Sequence, residues 1–140
     1  MNHYQFEELL PGVSESFSVE ITQKMMEQFL SITNDENPLH TDEAFASARG
    51  YEGRVVYGML TGSFLSTLAG MYLPGEKSLI HRVEMEFPRP VYIGDCLTIT
   101  GTVSEKNDVF RYIVIKVVIK NQKEEKVCRG KMRIGLINEE

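Results

Sequence analysis

Cysteine is scarce in this 140-residue chain. Cys96 and Cys128 lie far apart and lack the close spacing of a metal site, so the sequence holds neither a disulfide framework nor a cysteine-ligated metal motif. Both fall in strand-like segments, and the expectation is two buried thiols in a cytoplasmic protein. No uninterrupted apolar run is long enough to span a bilayer, and residues 1–8 lack the basic and apolar regions of a signal peptide. Internal repeats, low-complexity tracts and linker-like shifts in composition are also missing. Positive charge is outweighed: 15 Lys and Arg stand against 20 Asp and Glu, a net charge of −5. An acidic protein is not drawn non-specifically to nucleic acid or to an anionic membrane, so neither is expected as a partner. A local basic patch that meets a phosphorylated ligand remains open.

What is present is ordinary for a soluble globular protein, with 42% hydrophobic and 25% charged residues. The length predicts one domain over residues 1–140, large enough for a real core but small for a self-contained cleft.

The most informative stretch is Asp35-Glu36-Asn37-Pro38-Leu39-His40. Asn-Pro favours turn initiation, and the proline biases Asn37 away from helical geometry. The chain can therefore bend so that Asp35 and His40 face a common gap. A carboxylate and a neutral imidazole so placed can hold a water and move its protons.

Around this turn the pattern is helical. Thr22 is a predicted N-cap, and Met25, Met26, Phe29 and Leu30 recur on one helix face. A short helix is predicted to open near Thr41, with Asp42 and Glu43 in its first turn and Gly50 as its stop. Residues 58–73 carry no charge and are apolar on most faces, which predicts a buried helix, ended by Pro74-Gly75. Gly58, Gly62, Ser66 and Gly70 recur every four residues. Each glycine inside a helix costs roughly 1 kcal/mol against alanine, so close approach of a strand, a partner helix or a ligand is expected to offset it.

Beyond Gly75 the period changes to two. Val83, Met85 and Phe87 alternate with Arg82, Glu84 and Glu86; Leu97, Ile99 and Val103 alternate with threonines. Ile113, Ile115, Val117 and Ile119 share one face of a third strand, and Cys128, Met132, Ile134 and Leu136 one face of a fourth. This predicts an antiparallel sheet with one wet side, with hairpin turns at 105–108 and 122–125. His81 shares the parity of Val83, which predicts a core or interface histidine. The fold class read from this order is α+β, with an antiparallel β-sheet wrapped around a long buried central helix.

That order, with the motif at 35–40, resembles the hot-dog fold and, within it, the MaoC-type (R)-specific enoyl-CoA hydratases. Further matching pieces are Tyr57-Gly58-Met59-Leu60, Leu73-Pro74-Gly75, Phe87-Pro88-Arg89-Pro90-Val91 and Gly94-Asp95. The chain departs from the commonest pattern at Asn34, where a glycine usually precedes the aspartate, and at Tyr57, where a histidine often precedes the helix-opening glycine. The resemblance implies reversible addition of water to a trans-2-enoyl thioester, with no metal or redox cofactor. It also implies a homodimer or higher homo-oligomer, and a coenzyme A or acyl-carrier-protein thioester as substrate.

By the same resemblance Asp35 and His40 hold the catalytic water, with the division of acid and base roles between them open. Gly58 would present a backbone N–H to the thioester oxygen at a helix start, where the first amides lack intrahelical partners. Ser66 would either support the polar network around the Asp–His pair or bond the carbonyl one turn back. Arg49 and Arg54 would either meet carrier phosphates or be solvated charge. Two rival readings are an acyl-thioester hydrolase and a non-catalytic acyl-CoA-binding subunit on the same fold.

Overall fold

Strand residues of alternating character build the larger layer. The computed structural model of the chain describes residues 1–137. β3 (Cys96–Asn107), β4 (Tyr112–Lys120) and β5 (Lys126–Leu136) form consecutive antiparallel pairs. β1 (Ser14–Glu20) adds to β3 and β2 (Ser78–Glu86) adds to β5, so the order across the five-stranded sheet is β1-β3-β4-β5-β2. In this register Ile99 sits opposite Ile119, and Ile115 opposite Met132, all without solvent exposure. Burying each such side chain contributes roughly 1.5–3 kcal/mol. On the opposite face Thr98, Thr100 and Thr102 pair their hydroxyls with Ser18, Ser16 and Ser14 of β1 at 3.2, 3.1 and 3.1 Å.

The helical layer comes from the chain between β1 and β2. Thr22 caps α1 (Gln23–Thr33) by accepting the Met25 amide at 3.2 Å. The expected helix near Thr41 is instead two short pieces. Thr41 ends α2 (Pro38–Thr41), and Asp42 is the N-cap of α3 (Glu43–Ala48), its carboxylate accepting the Phe45 amide at 3.0 Å. Asn37 starts α2 through its own side chain, which makes the boundary one turn earlier than charge alone indicated.

The central helix, α4 (Gly58–Thr67), runs on as a π-helical turn over Leu68–Tyr72. It packs on the apolar side of the sheet, where Leu65, Leu68 and Ala69 are buried in one core with the strand side chains. Its glycines admit β2: a Cβ on Gly58 would meet the Phe87 ring at 3.7 Å, and one on Gly62 would fall 2.6 Å from the Met85 sulfur. Close approach of β2 therefore accounts for Gly62, whereas a Cβ on Gly58 or Gly70 would make only ordinary contacts and Ser66 is exposed. β3 yields in the same way, since a Cβ on Gly101 would lie 2.7 Å from Leu68 Cδ2. Phe17 of β1 stacks on Tyr72 with centroids 4.8 Å apart, closing the other end. No helix among the described residues is long and apolar enough to cross a membrane.

Four expectations need correction. The central helix is not buried all round, because Met59, Ser63, Ser66 and Met71 are exposed along one side. Cys96 is exposed, since its parity is that of Thr98 and Thr100 on the wet face; only Cys128 is buried, and burial pushes its thiol up to about 11. His81 is not a core residue: the β2 register slips between Ile80 and Arg82, and this bulge leaves the exposed imidazole lying over Gly135. The first hairpin turns later than residues 105–108, because Lys106 and Asn107 still pair with Ile113 and Tyr112.

Buried Asp95 explains the Gly94-Asp95 pair structurally. Its carboxylate accepts the Tyr92 amide and the Gln122 side-chain amide, each at 2.9 Å, pinning the loop before β3 to the β4–β5 turn.

Candidate active site

Local hydrogen bonds dictate the shape of the loop after α1. Asn34 ends that helix in the left-handed region (φ 56°), a conformation asparagine tolerates, and its amide donates to Leu30 O at 2.8 Å. The Asp35 amide donates to Thr33 Oγ1 at 3.2 Å. Asp35 Oδ1 accepts the Asn37 amide at 3.1 Å, and Asn37 Oδ1 accepts the Leu39 amide at 2.9 Å. Two successive Asx turns with proline at the first helical position thus deliver the chain into α2.

Residues 54–55 then lace α2 in place. The Val55 amide donates to Leu39 O at 3.1 Å, and Arg54 Nε donates to His40 O at 2.8 Å. The half-buried His40 ring sets Nδ1 at 2.7 Å from Val55 O. A carbonyl oxygen has no hydrogen to give, so Nδ1 carries the proton of this bond. In the neutral ring Nε2 is then left with its lone pair. One ring nitrogen is held by the fold and the other is left to accept a proton.

Tyr57 joins the imidazole to the aspartate. Its ring contacts His40 with centroids 4.4 Å apart, and its hydroxyl donates to the Asp35 backbone carbonyl at 2.7 Å. Phe29 of α1 supports the other side, with centroids 4.9 Å apart. Burial, and then the Asp35 charge, raise the Tyr57 pKa above its ordinary value, with Arg54 pulling the other way, so the hydroxyl remains a donor.

Immediately after Tyr57, α4 begins at Gly58 with no side chain capping it. The first amides of a helix lack internal acceptors and stand at the positive end of its dipole. A cavity of about 330 Å³ opens there, lined by His40, Gly58, Thr61, Phe87, Val91 and Val127 among others. His40 and an uncapped helix start therefore line one mostly apolar hollow. That combination can take a proton and stabilise a developing oxyanion. A larger hollow of about 590 Å³ lies on the outer side of the sheet over Lys116 and Gly130, and neither His40 nor the Gly58 helix start lines it.

Of the residues expected to act together, His40 and Gly58 share this cavity. Asp35 is exposed at the loop beside it and does not line it. Ser66 lies about two turns further along α4, on the exposed side, and does not line it either. Arg49 sits 3.3 Å over the Phe45 ring and donates to Phe45 O, while Arg54 holds α2. Sequence reasoning gave Tyr57 no role of its own and missed Thr61, whose one signal was a hydroxyl in the first turn of an uncharged helix.

The model of the MaoC-like domain matches residues 11–126. The chain belongs to the MaoC-like domain family. Among relatives of this MaoC-like domain, an (R)-specific enoyl-CoA hydratase from Rhodospirillum rubrum is 34% identical over 128 residues, 86% of this chain and 88% of that protein. A 3-hydroxybutyryl-CoA dehydratase from Methylorubrum extorquens is 33% identical over 100 residues, 71% of this chain and 64% of that protein. Among solved structures, an (R)-hydratase from A. caviae superposes with a TM-score of 0.89 at 28% identity, covering 94% of this chain and 99% of that one. The sheet wrapped on a central helix in this MaoC-like domain is thus the hot-dog fold.

Proposed function

We propose that this MaoC-like domain is a hydro-lyase that adds water reversibly to a trans-2-enoyl thioester, forming the (R)-3-hydroxyacyl thioester. The single observation that carries the reading is the fixed imidazole: His40 Nδ1 is committed to Val55 O, which leaves Nε2 as the proton acceptor of a residue that lines the hollow at the start of α4. In hydration the water oxygen bonds C3 as its proton leaves, the C2=C3 electrons move toward the thioester oxygen, and C2 takes a proton. His40 and Asp35 share the water and its protons, an arrangement supported by the Tyr57 clamp that ties the Asp35 backbone to the His40 ring. General acid–base help of this kind is worth about 10²- to 10⁴-fold. The Gly58 amide and the α4 dipole meet the negative oxygen. The carrier is coenzyme A or an acyl carrier protein.

The working form is a homodimer or higher homo-oligomer. This reading is supported by an unpaired edge on β2 and by exposed apolar residues nearby, among them Val83, Phe87 and Met59. The compartment is the cytoplasm, in keeping with two free thiols.

The test mixes purified protein with crotonyl-CoA and follows enoyl absorbance and free thiol together. Loss of absorbance without thiol release is expected. Thiol release would instead indicate a hydrolase, and silence in both signals a binding protein. Asp35→Asn and His40→Ala are each expected to cost at least about 10²-fold in turnover while the protein stays folded. A variant that turns over like the wild type removes that residue from the mechanism.

A further inference from the structure

Thr61 is the one described residue with a buried side-chain polar atom that has no hydrogen-bond partner. Only 1% of the residue is exposed. A threonine in a helix ordinarily bonds its hydroxyl to the carbonyl three or four residues back. Here the carbonyl four back, Tyr57 O, already accepts the amides of Leu60 and Thr61 at 3.0 and 3.2 Å. The Thr61 hydroxyl makes no such bond, and Thr61 lines the cavity shared by His40 and Gly58. Helical side chains lean toward the N-terminus of their helix, so this one leans back over the uncapped first turn. A buried polar atom without a partner calls for an explanation, and a ligand oxygen at that turn supplies one.

We infer that Thr61 is a catalytic residue whose hydroxyl donates a second hydrogen bond to the thioester oxygen, beside the Gly58 N–H. The inference rests on the hydratase reading and deepens it. As water bonds C3 and the π electrons shift, the oxygen gains charge and both donors tighten on it. When C2 is protonated the charge returns to the carbonyl bond. Because Thr61 and Gly58 are three residues apart, they lie on one helix face and can bracket a single atom.

The test compares Thr61→Val, which keeps the shape without the hydroxyl, with Thr61→Ser, which keeps the hydroxyl. Thr61→Val is expected to lower kcat on crotonyl-CoA on the order of 10²-fold, as removal of one oxyanion donor does, with little change in KM. It should melt no lower than the wild type, because the lost hydroxyl held nothing in the fold. Thr61→Ser should restore most of kcat. A second readout needs no turnover: the infrared carbonyl band of bound butyryl-CoA should sit at lower frequency in wild type and Thr61→Ser than in Thr61→Val. Wild-type kcat in Thr61→Val, or a carbonyl band unmoved by wild-type protein, overturns the inference. If wild-type protein fails to hydrate any enoyl thioester, the hydratase reading falls, while the carbonyl band still decides the donor role of Thr61.

Discussion

At the scale of single residues, the site depends on side chains that act through one another. Tyr57 makes no catalytic contact in the proposed reaction, yet it meets both the Asp35 backbone and the His40 ring. Tyr57→Phe keeps the ring and removes the bond to Asp35 O, worth about 1 kcal/mol. The expected result is turnover lowered by roughly 5-fold, since about 1.4 kcal/mol is one decade, with KM little changed and only a small drop in melting temperature. Steady-state kinetics on crotonyl-CoA check it, and unchanged turnover would show that Asp35 needs no such anchor. The turn in the Asp-x-Asn-Pro-x-His segment was legible because its chemistry is local: the Asp35 and Asn37 side chains each bond an amide two residues on. The Tyr57 role was not, because its partner lies 22 residues away.

At the scale of elements, the sheet strands and α4 fit together at glycines where backbones or side chains crowd. The two ends of that range behave differently. A Cβ on Gly130 would fall on the Glu84 carbonyl oxygen, which belongs to the neighbouring strand and cannot rotate away. A Cβ on Gly62 would meet the Met85 sulfur, near the end of a flexible chain. Gly130→Ala is therefore expected to destabilise by about 1–3 kcal/mol, whereas Gly62→Ala stays near neutral because better helix propensity offsets the crowding. Denaturant unfolding of the two variants checks the contrast, and equal losses would mean that β2 shifts as easily as a side chain. Strand faces were readable from alternation, as the buried row Ile113, Ile115, Val117 and Ile119 shows. Alternation could not reveal the bulge at His81 or the longer β3, because both are properties of pairing between strands. The exposed side of α4 escaped notice for a related reason: an uncharged helix looks the same whether a neighbour covers it or not.

At the scale of the whole molecule, β2 and β1 are the two edges of the sheet, and β2 carries the more apolar surroundings. A lysine on such an edge opposes pairing. Sedimentation should find the wild type at a multiple of 16.0 kDa, and Val83→Lys shifted toward the single chain. A wild type that sediments as a lone chain would remove the proposed assembly. The layered α+β plan was legible because the four strands after Gly75 follow the helical stretches, but β1, which precedes the helices and pairs with β3 some 80 residues on, was not expected.

The strand order also constrains how the protein is made. β1 finds its neighbour in β3 and β2 in β5, so both rims of the sheet wait for segments that leave the ribosome after residue 95. Until then α4, uncharged and nearly without polar cover, has no surface to lie on. The histidine loop and the helix start emerge early, but the hollow between them takes shape only when the last hairpins close over it. Nascent chains halted before β3 should therefore engage chaperones and bind no acyl thioester.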